Sequence, residues 1–157
     1  MTRARLLARL DVAWRDLLAS YEGLTEAQLL TPGVTGAWSV RDIVAHVSVW
    51  EEEALKHLPH ILDGGRPTRY SVAYGGINAF NALMTERLRD LTLPEVWRRR
   101  DEVHARLVAY LEAAPEEQFV RETRFRRRLR LDAFGHYPQH AAGIRAWRDR
   151  SGQGSVG

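Results

Sequence analysis

The chain has 157 residues, a formal net charge of +3 and no cysteine. This length suits one domain with its own hydrophobic core, and the lack of cysteine excludes disulfides, thiolate metal sites and a cysteine nucleophile. No stretch approaches the roughly 18 apolar residues that a membrane-spanning helix needs. The N-terminal segment also lacks the continuous apolar core of a signal peptide, so we expect a cytoplasmic protein without a membrane partner.

The first part of the chain shows two amphipathic helices. Apolar residues recur every three or four positions from Thr2 to Tyr21, the pattern of a helix with one buried face. A second helix is predicted to begin at Ser39, because Ser39 and Asp42 have the spacing of a capping box. In this helix His46 and Trp50 are one turn apart, and we expect both to face a groove between helices.

The middle of the chain predicts a helix in two pieces. Residues 66–76 are expected to be irregular, and a third helix is predicted from Ile77 to about Leu91. Pro94 fits the first turn of a further helix that runs to about Ala114. The two pieces can be read as one long helix that is broken near Pro94.

Two asparagines open the third helix. Asn78 is interpreted as the residue that caps the helix. Asn81 is one turn further on, and we treat it as a candidate pocket residue together with Trp50.

The last part of the chain combines a charged connection with a final helix. Residues 116–130 form the connection, and a short extended piece is predicted at Phe125–Leu131. The last helix is expected from about Leu131 to Arg150, and the tail Ser151–Gly157 is predicted to be disordered. We therefore expect one domain, residues 1–150, with the all-α fold of an antiparallel, up-and-down four-helix bundle.

Three histidines form the strongest candidate site. His136 and His140 are four residues apart, about one helical turn, so both imidazoles can share a face. If their helix packs against the helix of His46, three neutral imidazoles converge on one cation and leave a coordination position open for chemistry. The alternative is three unrelated histidines with ordinary hydrogen bonds. Pro138 lies between two of them, so either the helix starts near His136 or it bends there.

The other histidines and the arginine run are given structural roles. His57, His60 and His104 are interpreted as ordinary residues near helix ends or on polar faces. The run from Arg121 to Arg130 could mark a phosphate or nucleic-acid footprint, or attract an anionic substrate. Acidic residues lie close by and no DNA-recognition motif is evident, so a solvated loop or dimer rim explains the run better, and no nucleic-acid partner is expected.

Two motifs resemble the DinB-like bundle proteins. One is W-S-x-x-D-I-x-x-H at residues 38–46, and the other is G-H-Y-x-x-H-x-x-x-I-x-x-W at residues 135–147. Residues 21–39 most resemble the branch that includes colibactin self-protection proteins. The resemblance implies a bundle that is often a homodimer, with a divalent metal site for Zn or Ni, or for Fe. It implies that the ligands in this chain are His46, His136 and His140.

Relatives of this kind include thiol-dependent transferases, and some self-protection members work without the three histidines. We therefore expect a metal-dependent enzyme that acts on a small molecule by thiol transfer or hydrolysis. The alternative is a non-catalytic bundle that binds a small molecule or serves self-protection. The sequence contains no H-E-x-x-H motif, so it does not identify a general base.

Overall fold

The computed structural model describes residues 1–153, which fold into helices joined by short connections. Within these residues the only β-pairing is an isolated bridge between Thr35 and Trp38, so the predicted all-α class is confirmed. The helices are α1 (Arg3–Ser20), α2 (Glu26–Leu29), α3 (Val40–Leu62), α4 (Tyr70–Ala73), α5 (Ile77–Arg87), α6 (Leu93–Ala113), α7 (Arg124–Leu129) and α8 (Tyr137–Gln153), with a 3-10 turn at Glu116–Gln118 and a π-helical turn at Arg130–Phe134.

Four long helices, α1, α3, α6 and α8, build the main core. The most extensive contacts join α3 to α6 and α1 to α8, and smaller contacts link these two pairs. The antiparallel, up-and-down order of the helices stays a prediction. None of the helices in residues 1–153 is both long enough and apolar enough to cross a membrane. The largest fully buried side chains come from several of these elements and include Leu6, Leu10, Ile43, Leu107, Phe119, Phe125 and Tyr137.

Capping residues begin α3 and α6 where the sequence predicts these two helices to start. The Ser39 hydroxyl accepts a hydrogen bond from the Asp42 N–H at 3.2 Å, and the Asp42 carboxylate accepts one from the Ser39 N–H at 3.0 Å. Thr92 and Glu95 form the same box at the start of α6, with Pro94 in its first turn. Each cap stabilises its helix by about 1 kcal/mol. The predicted break near Pro94 is confirmed, since α5 and α6 are separate helices.

The start of α5 differs from the prediction for Asn78. Gly76 precedes the helix with a φ of 123°, so Asn78 lies inside the first turn and does not cap it. Glycine adopts this backbone conformation at little cost, which lets the chain turn into α5 two residues earlier. Residues 66–76, expected to be irregular, also contain the short helix α4.

The predicted extended piece at Phe125–Leu131 is wrong. The Thr123 hydroxyl accepts a hydrogen bond from the Arg126 N–H at 3.0 Å and caps α7. Phe125 and Leu129 are both buried and four residues apart, which is the spacing of a helix face. The arginines between them gave the segment an alternating pattern, but burial follows a helical period.

One π-helical turn separates α7 from α8. The Gly135 N–H donates to the Arg130 carbonyl, five residues back, at 2.8 Å, and α8 begins at Tyr137 instead of Leu131. Pro138 is therefore the second residue of α8, where a missing N–H removes no helical hydrogen bond. Of the two alternatives for Pro138, a helix start near His136 is the one that the structure shows.

Part of the tail that was predicted to be disordered belongs to α8. The helix continues past Arg150 to Gln153, so Ser151–Gln153 are helical. The remainder of that tail, residues 154–157, lies outside the described residues.

A smaller apolar cluster lies on one flank of α3. Val49, Trp50 and Phe80 form its buried centre, and Tyr70 and Tyr74 pack against it. Through this cluster α4 and α5 cover the part of α3 that carries His46, and this cover creates the site described next.

Candidate metal centre

The fold brings His46, His136 and His140 together. His46 lies in the middle of α3, His136 directly precedes α8, and His140 is in the first turn of α8. The Nε2 atom of His136 is 3.0 Å from Nε2 of His46 and 2.9 Å from Nε2 of His140. One nitrogen of each ring lies within 4.8 Å of the others. This group, which we call the triad, could hold a metal ion.

Hydrogen bonding alone does not satisfy the triad. A neutral imidazole nitrogen carries either one proton or one lone pair, yet Nε2 of His136 faces two other ring nitrogens. Its second nitrogen, Nδ1, is buried and makes no hydrogen bond of normal geometry among the described residues, although the backbone of Asp132 lies close enough to oppose the lowering of the His136 pKa. Two imidazole nitrogens that bind one Zn²⁺ at about 2.1 Å lie about 3.0 to 3.4 Å apart, depending on the coordination angle. The observed distances of 3.0 and 2.9 Å are close to the short end of this range, so a small movement of the rings would admit a shared cation.

Burial keeps the three imidazoles neutral. Burial, followed by the charges of His136 and His140, lowers the pKa of His46 to about 2. Burial and the charge of His140 lower the pKa of His136 to about 3, and burial lowers the pKa of His140 to about 4. Because metals bind neutral imidazole, the triad is in its ligating form at neutral pH.

A cavity of about 380 Å³, here called the triad cavity, opens onto His46 and His136. The rings of Trp50 and Tyr70 line it, as do two apolar side chains that are unusually exposed, Ile77 at 53% and Leu131 at 72%. Exposed apolar groups around a cavity are typical of a ligand-binding surface, and the volume suits a small molecule.

Trp50 and Asn81, the two pocket residues suggested by the sequence, both line the triad cavity. The Trp50 Nε1–H donates to the Asn81 Oδ1 atom at 3.0 Å. This bond orients the amide and leaves its N–H groups free to meet a ligand. On another side of His46, the ring of Trp38 packs with its centroid 4.6 Å away.

Charged residues complete the cavity wall. The Arg128 Nε–H donates to Asp132 Oδ2 at 2.6 Å, its Nη2 donates to the Tyr70 hydroxyl at 2.6 Å, and that hydroxyl donates to Glu53 at 3.0 Å. Asp132 is only 1% exposed. Burial raises the pKa of Asp132 to about 7, against the opposing charge of Arg128. A carboxyl group of this kind can take up or release a proton near neutral pH.

The arginine run therefore differs from the solvated loop that we expected. Arg128 lines the triad cavity, Arg124 and Arg126 donate to backbone carbonyls, and Arg130 pairs with Glu122 at 2.8 Å. Most of the run holds the fold together.

Sequence reasoning did not single out Tyr70 or Asp132. A signal for Asp132 was available, since it lies four residues before His136, but the assumed helix from Leu131 hid the π-helical turn that buries it. Tyr70 lies in a segment without a periodic pattern, so nothing in the sequence pointed to it.

A second polar group, here called the core cluster, surrounds Glu51. This side chain is fully buried, and its Oε2 atom lies 2.7 Å from His104 Nδ1 and accepts a hydrogen bond from the Tyr137 hydroxyl at 2.7 Å. Burial raises the pKa of Glu51, while the contacts with His104 and Tyr137 oppose that rise. The ring of Trp14 stacks on His104, with centroids 3.7 Å apart. His104 is thus part of the core, whereas we had placed it near a helix end or on a polar face.

Solved structures with a similar fold cover nearly the whole chain. The structure described as "Sibling Lethal Factor Precursor - DfsB" has a TM-score of 0.77 and 15% identity, and the match covers 96% of this chain and 97% of that one. An uncharacterised protein from Escherichia coli UTI89 has a TM-score of 0.78 and 14% identity, with 96% and 95% covered. At such identities the likeness establishes the fold alone.

A third similar structure corrects one expectation. The colibactin self-resistance protein ClbS, in complex with a dsDNA, has a TM-score of 0.75 and 16% identity, with 91% of this chain and 93% of that chain covered. Our expectation that nucleic acid can be set aside as a partner is wrong, because a protein of this fold is seen with duplex DNA. The arginine run gives no evidence for or against nucleic-acid binding, because most of its side chains are engaged within the fold.

Sequence comparison supplies the family. No curated protein matches the chain. The sequence model of the DinB superfamily matches residues 9–143, which include His46, His136 and His140 as well as most of the core. The chain belongs to the DinB superfamily.

Proposed function

We propose that this protein is a metal-dependent enzyme that acts on a small molecule, with His46, His136 and His140 as ligands of one divalent transition metal. The observation that carries the proposal is the convergence of three Nε2 atoms beside a cavity of about 380 Å³. Three protein ligands leave room in the coordination sphere for a substrate. Imidazole ligands suit Zn and Ni, with Fe as a third option.

The residues around the triad suit thiol transfer or hydrolysis. A bound divalent cation would polarise an electrophilic group and lower the pKa of a coordinated nucleophile such as a thiol. Trp50 and Tyr70 offer aromatic walls for the body of the substrate, and the Asn81 amide offers N–H donors that orient it. Asp132 can accept or supply the proton, and Arg128 holds its carboxyl group in place.

The same cavity also supports a non-catalytic role. The similar fold of ClbS, which is described as a self-resistance protein, favours capture of a harmful small molecule as a second candidate. Under this candidate the protein binds one equivalent of its ligand and releases no product.

Turnover separates the two candidates. Untagged protein loaded with Zn or Ni is incubated with a panel of electrophiles and a low-molecular-weight thiol, and products are followed by mass spectrometry. We expect turnover by the wild type, loss of turnover in His140→Ala, and unchanged turnover in the control Arg98→Ala, which removes an exposed side chain of α6 that does not line the triad cavity. Binding without turnover supports capture. Turnover that survives His140→Ala contradicts the metal-dependent proposal.

Duplex DNA is a further partner that we propose for this chain. The observation that favours it is the complex of ClbS with dsDNA, a protein that shares the fold over 91% of this chain. The proposal is independent of the metal chemistry. Fluorescence anisotropy with a labelled mixed-sequence duplex tests it, and a wild-type protein that shows no binding at low salt contradicts it.

A further inference from the structure

A second cavity, of about 500 Å³, lies beside the triad cavity, and Tyr70 lines both. We call it the basic cavity. It lies between the last turns of α3 and the segment that leads into α4, and no carboxylate of residues 1–153 lines it. The side chains used in the argument are Lys56, His57, His60, Arg66, Thr68 and Tyr74.

The positive charge of the basic cavity is not neutralised by the described part of the chain. Lys56 and Arg66 are exposed, and neither makes an ion pair or a hydrogen bond with residues 1–153. The nearby Glu53 carboxylate does not line the basic cavity. Its Oε1 atom lies 3.7 Å from His57 Nε2 and accepts a hydrogen bond from the Tyr70 hydroxyl at 3.0 Å. This contrasts with Arg128, whose charge is matched by Asp132.

The basic cavity is also held in a fixed shape. Gly65 lies against the ring of His60 so closely that a Cβ atom there would be 2.3 Å from Cε1 of the imidazole. The Arg124 guanidinium donates to the Gly65 carbonyl at 2.9 Å and ties this loop to α7. The loop that carries Arg66 is therefore anchored on both sides. Burial, followed by the charge of Arg128, lowers the pKa of His57; the charge of Glu53 opposes this, and Lys56 adds a smaller lowering.

We propose that the basic cavity binds phosphate groups, with Lys56 and Arg66 as the cationic contacts and the Thr68 hydroxyl as a further donor. Lysine and arginine are the usual ligands of phosphate oxygens. The rings of Tyr70 and Tyr74 beside them suit the sugar or base that accompanies a phosphate. The inference rests on the proposed DNA partner only for the source of the phosphate, which is either a nucleic-acid backbone or a small phosphate ester.

The test compares two pairs of substitutions that remove the same charge. Lys56→Gln with Arg66→Gln alters the basic cavity, and Arg98→Gln with Arg106→Gln removes two exposed arginines of α6 that make no ion pair. Each protein is titrated with a labelled mixed-sequence duplex at several salt concentrations, and separately with inorganic pyrophosphate by calorimetry. Metal content is measured in parallel, so that a failure here is not confused with a failure of the triad.

We expect the cavity pair to weaken duplex binding about tenfold and to lower the salt slope by about 1.8, the value for two phosphate contacts, with a much smaller effect of the control pair. The wild type could instead bind pyrophosphate but not the duplex, with that binding abolished in the cavity pair. This result would support the basic cavity as a site for a small phosphate ester and would contradict the proposed DNA partner. Equal losses in both pairs, or no binding of either probe, overturn the inference.

Discussion

Two groups of buried polar side chains lie on the same helix, five residues apart, and they are satisfied in different ways. In the core cluster, His104 meets the carboxylate of Glu51 at 2.7 Å. In the triad, His46 meets only the nitrogens of other imidazoles, at 3.0 Å for the nearest. No carboxylate side chain of the described residues forms a hydrogen bond or an ion pair with a triad ring.

The difference separates His104 from the three histidines of the triad. In the core cluster the Glu51 Oε2 atom meets both His104 and Tyr137, although its Oε1 atom has no hydrogen-bond partner among the described residues. Removal of His104 or Glu51 therefore affects folding. The Nε2 atoms of the triad face one another, and a cation is the partner that can accept their lone pairs together. We therefore expect substitutions in the core cluster to lower stability without loss of metal binding. At neutral pH we expect substitutions in the triad to abolish metal binding and leave the metal-free protein folded.

The largest expected effect is a loss of stability in Glu51→Ala. The substitution leaves His104 and Tyr137 without their buried partner and should lower the free energy of unfolding by about 3 to 5 kcal/mol. Urea denaturation of metal-free protein measures this. Glu51→Gln keeps an acceptor and should cost less. Uptake of metal by folded Glu51→Gln should equal that of the wild type, and a variant that folds but loses the metal would break the separation.

The next effect is acid destabilisation of the metal-free protein. The pKa of His140 is about 4 in the folded chain and about 6.5 in an unfolded chain, so the unfolded state alone takes up this proton between the two values. The stability that depends on neutral His140, about 3 kcal/mol, is present above pH 6.5 and is lost as the pH falls toward 4. Asp132 acts in the opposite direction, because its folded pKa is raised to about 7.

Denaturation at a series of pH values checks this balance. His140→Ala should show a shallower loss of stability in acid than the wild type, by about one proton. Asp132→Asn should show a steeper loss. Parallel curves for the wild type and His140→Ala would mean that burial does not hold this imidazole neutral.

The parts of the structure that can be predicted from the sequence are those marked by a regular or short-range pattern. The long helices follow from periodicity, and the starts of α3 and α6 follow from the Ser39 cap and from Pro94 in a first turn, which are signals that act over three or four residues. The triad was proposed from spacing and from family resemblance, and the structure brings its members together. The side chains around the triad were harder to predict from the sequence. Tyr70, for example, reaches the cavity from a segment without a periodic pattern.

Local irregularity explains the remaining errors. Asn78 was displaced from the cap by the positive φ of Gly76. The π-helical turn at Arg130–Phe134 delayed the start of α8 and turned Asp132 inward. Such turns depend on tertiary contacts, and the sequence pattern does not distinguish them from a continuing α-helix.

The smallest effect is expected at Tyr137, which joins the two groups. It follows His136 directly, and its hydroxyl donates to Glu51 at 2.7 Å. Tyr137→Phe removes one buried hydrogen bond and should lower the free energy of unfolding by about 1 to 2 kcal/mol, with metal still bound at one ion per chain. Thermal denaturation and metal titration of the same sample measure both. A complete loss of metal would show that the core cluster positions His136, and the two groups would then be one unit.

Metal content is the most direct test of the central claim, that the triad is a metal site and the core cluster is not. Untagged protein is stripped with a chelator, reloaded with Zn, Ni or Fe, and analysed by mass spectrometry for metal per chain. The account predicts one ion in the wild type, none in His140→Ala, and one in folded His104→Gln, with His140→Ala still folded as metal-free protein. A wild type that takes up no metal, or a His140→Ala variant that keeps a full equivalent, contradicts it.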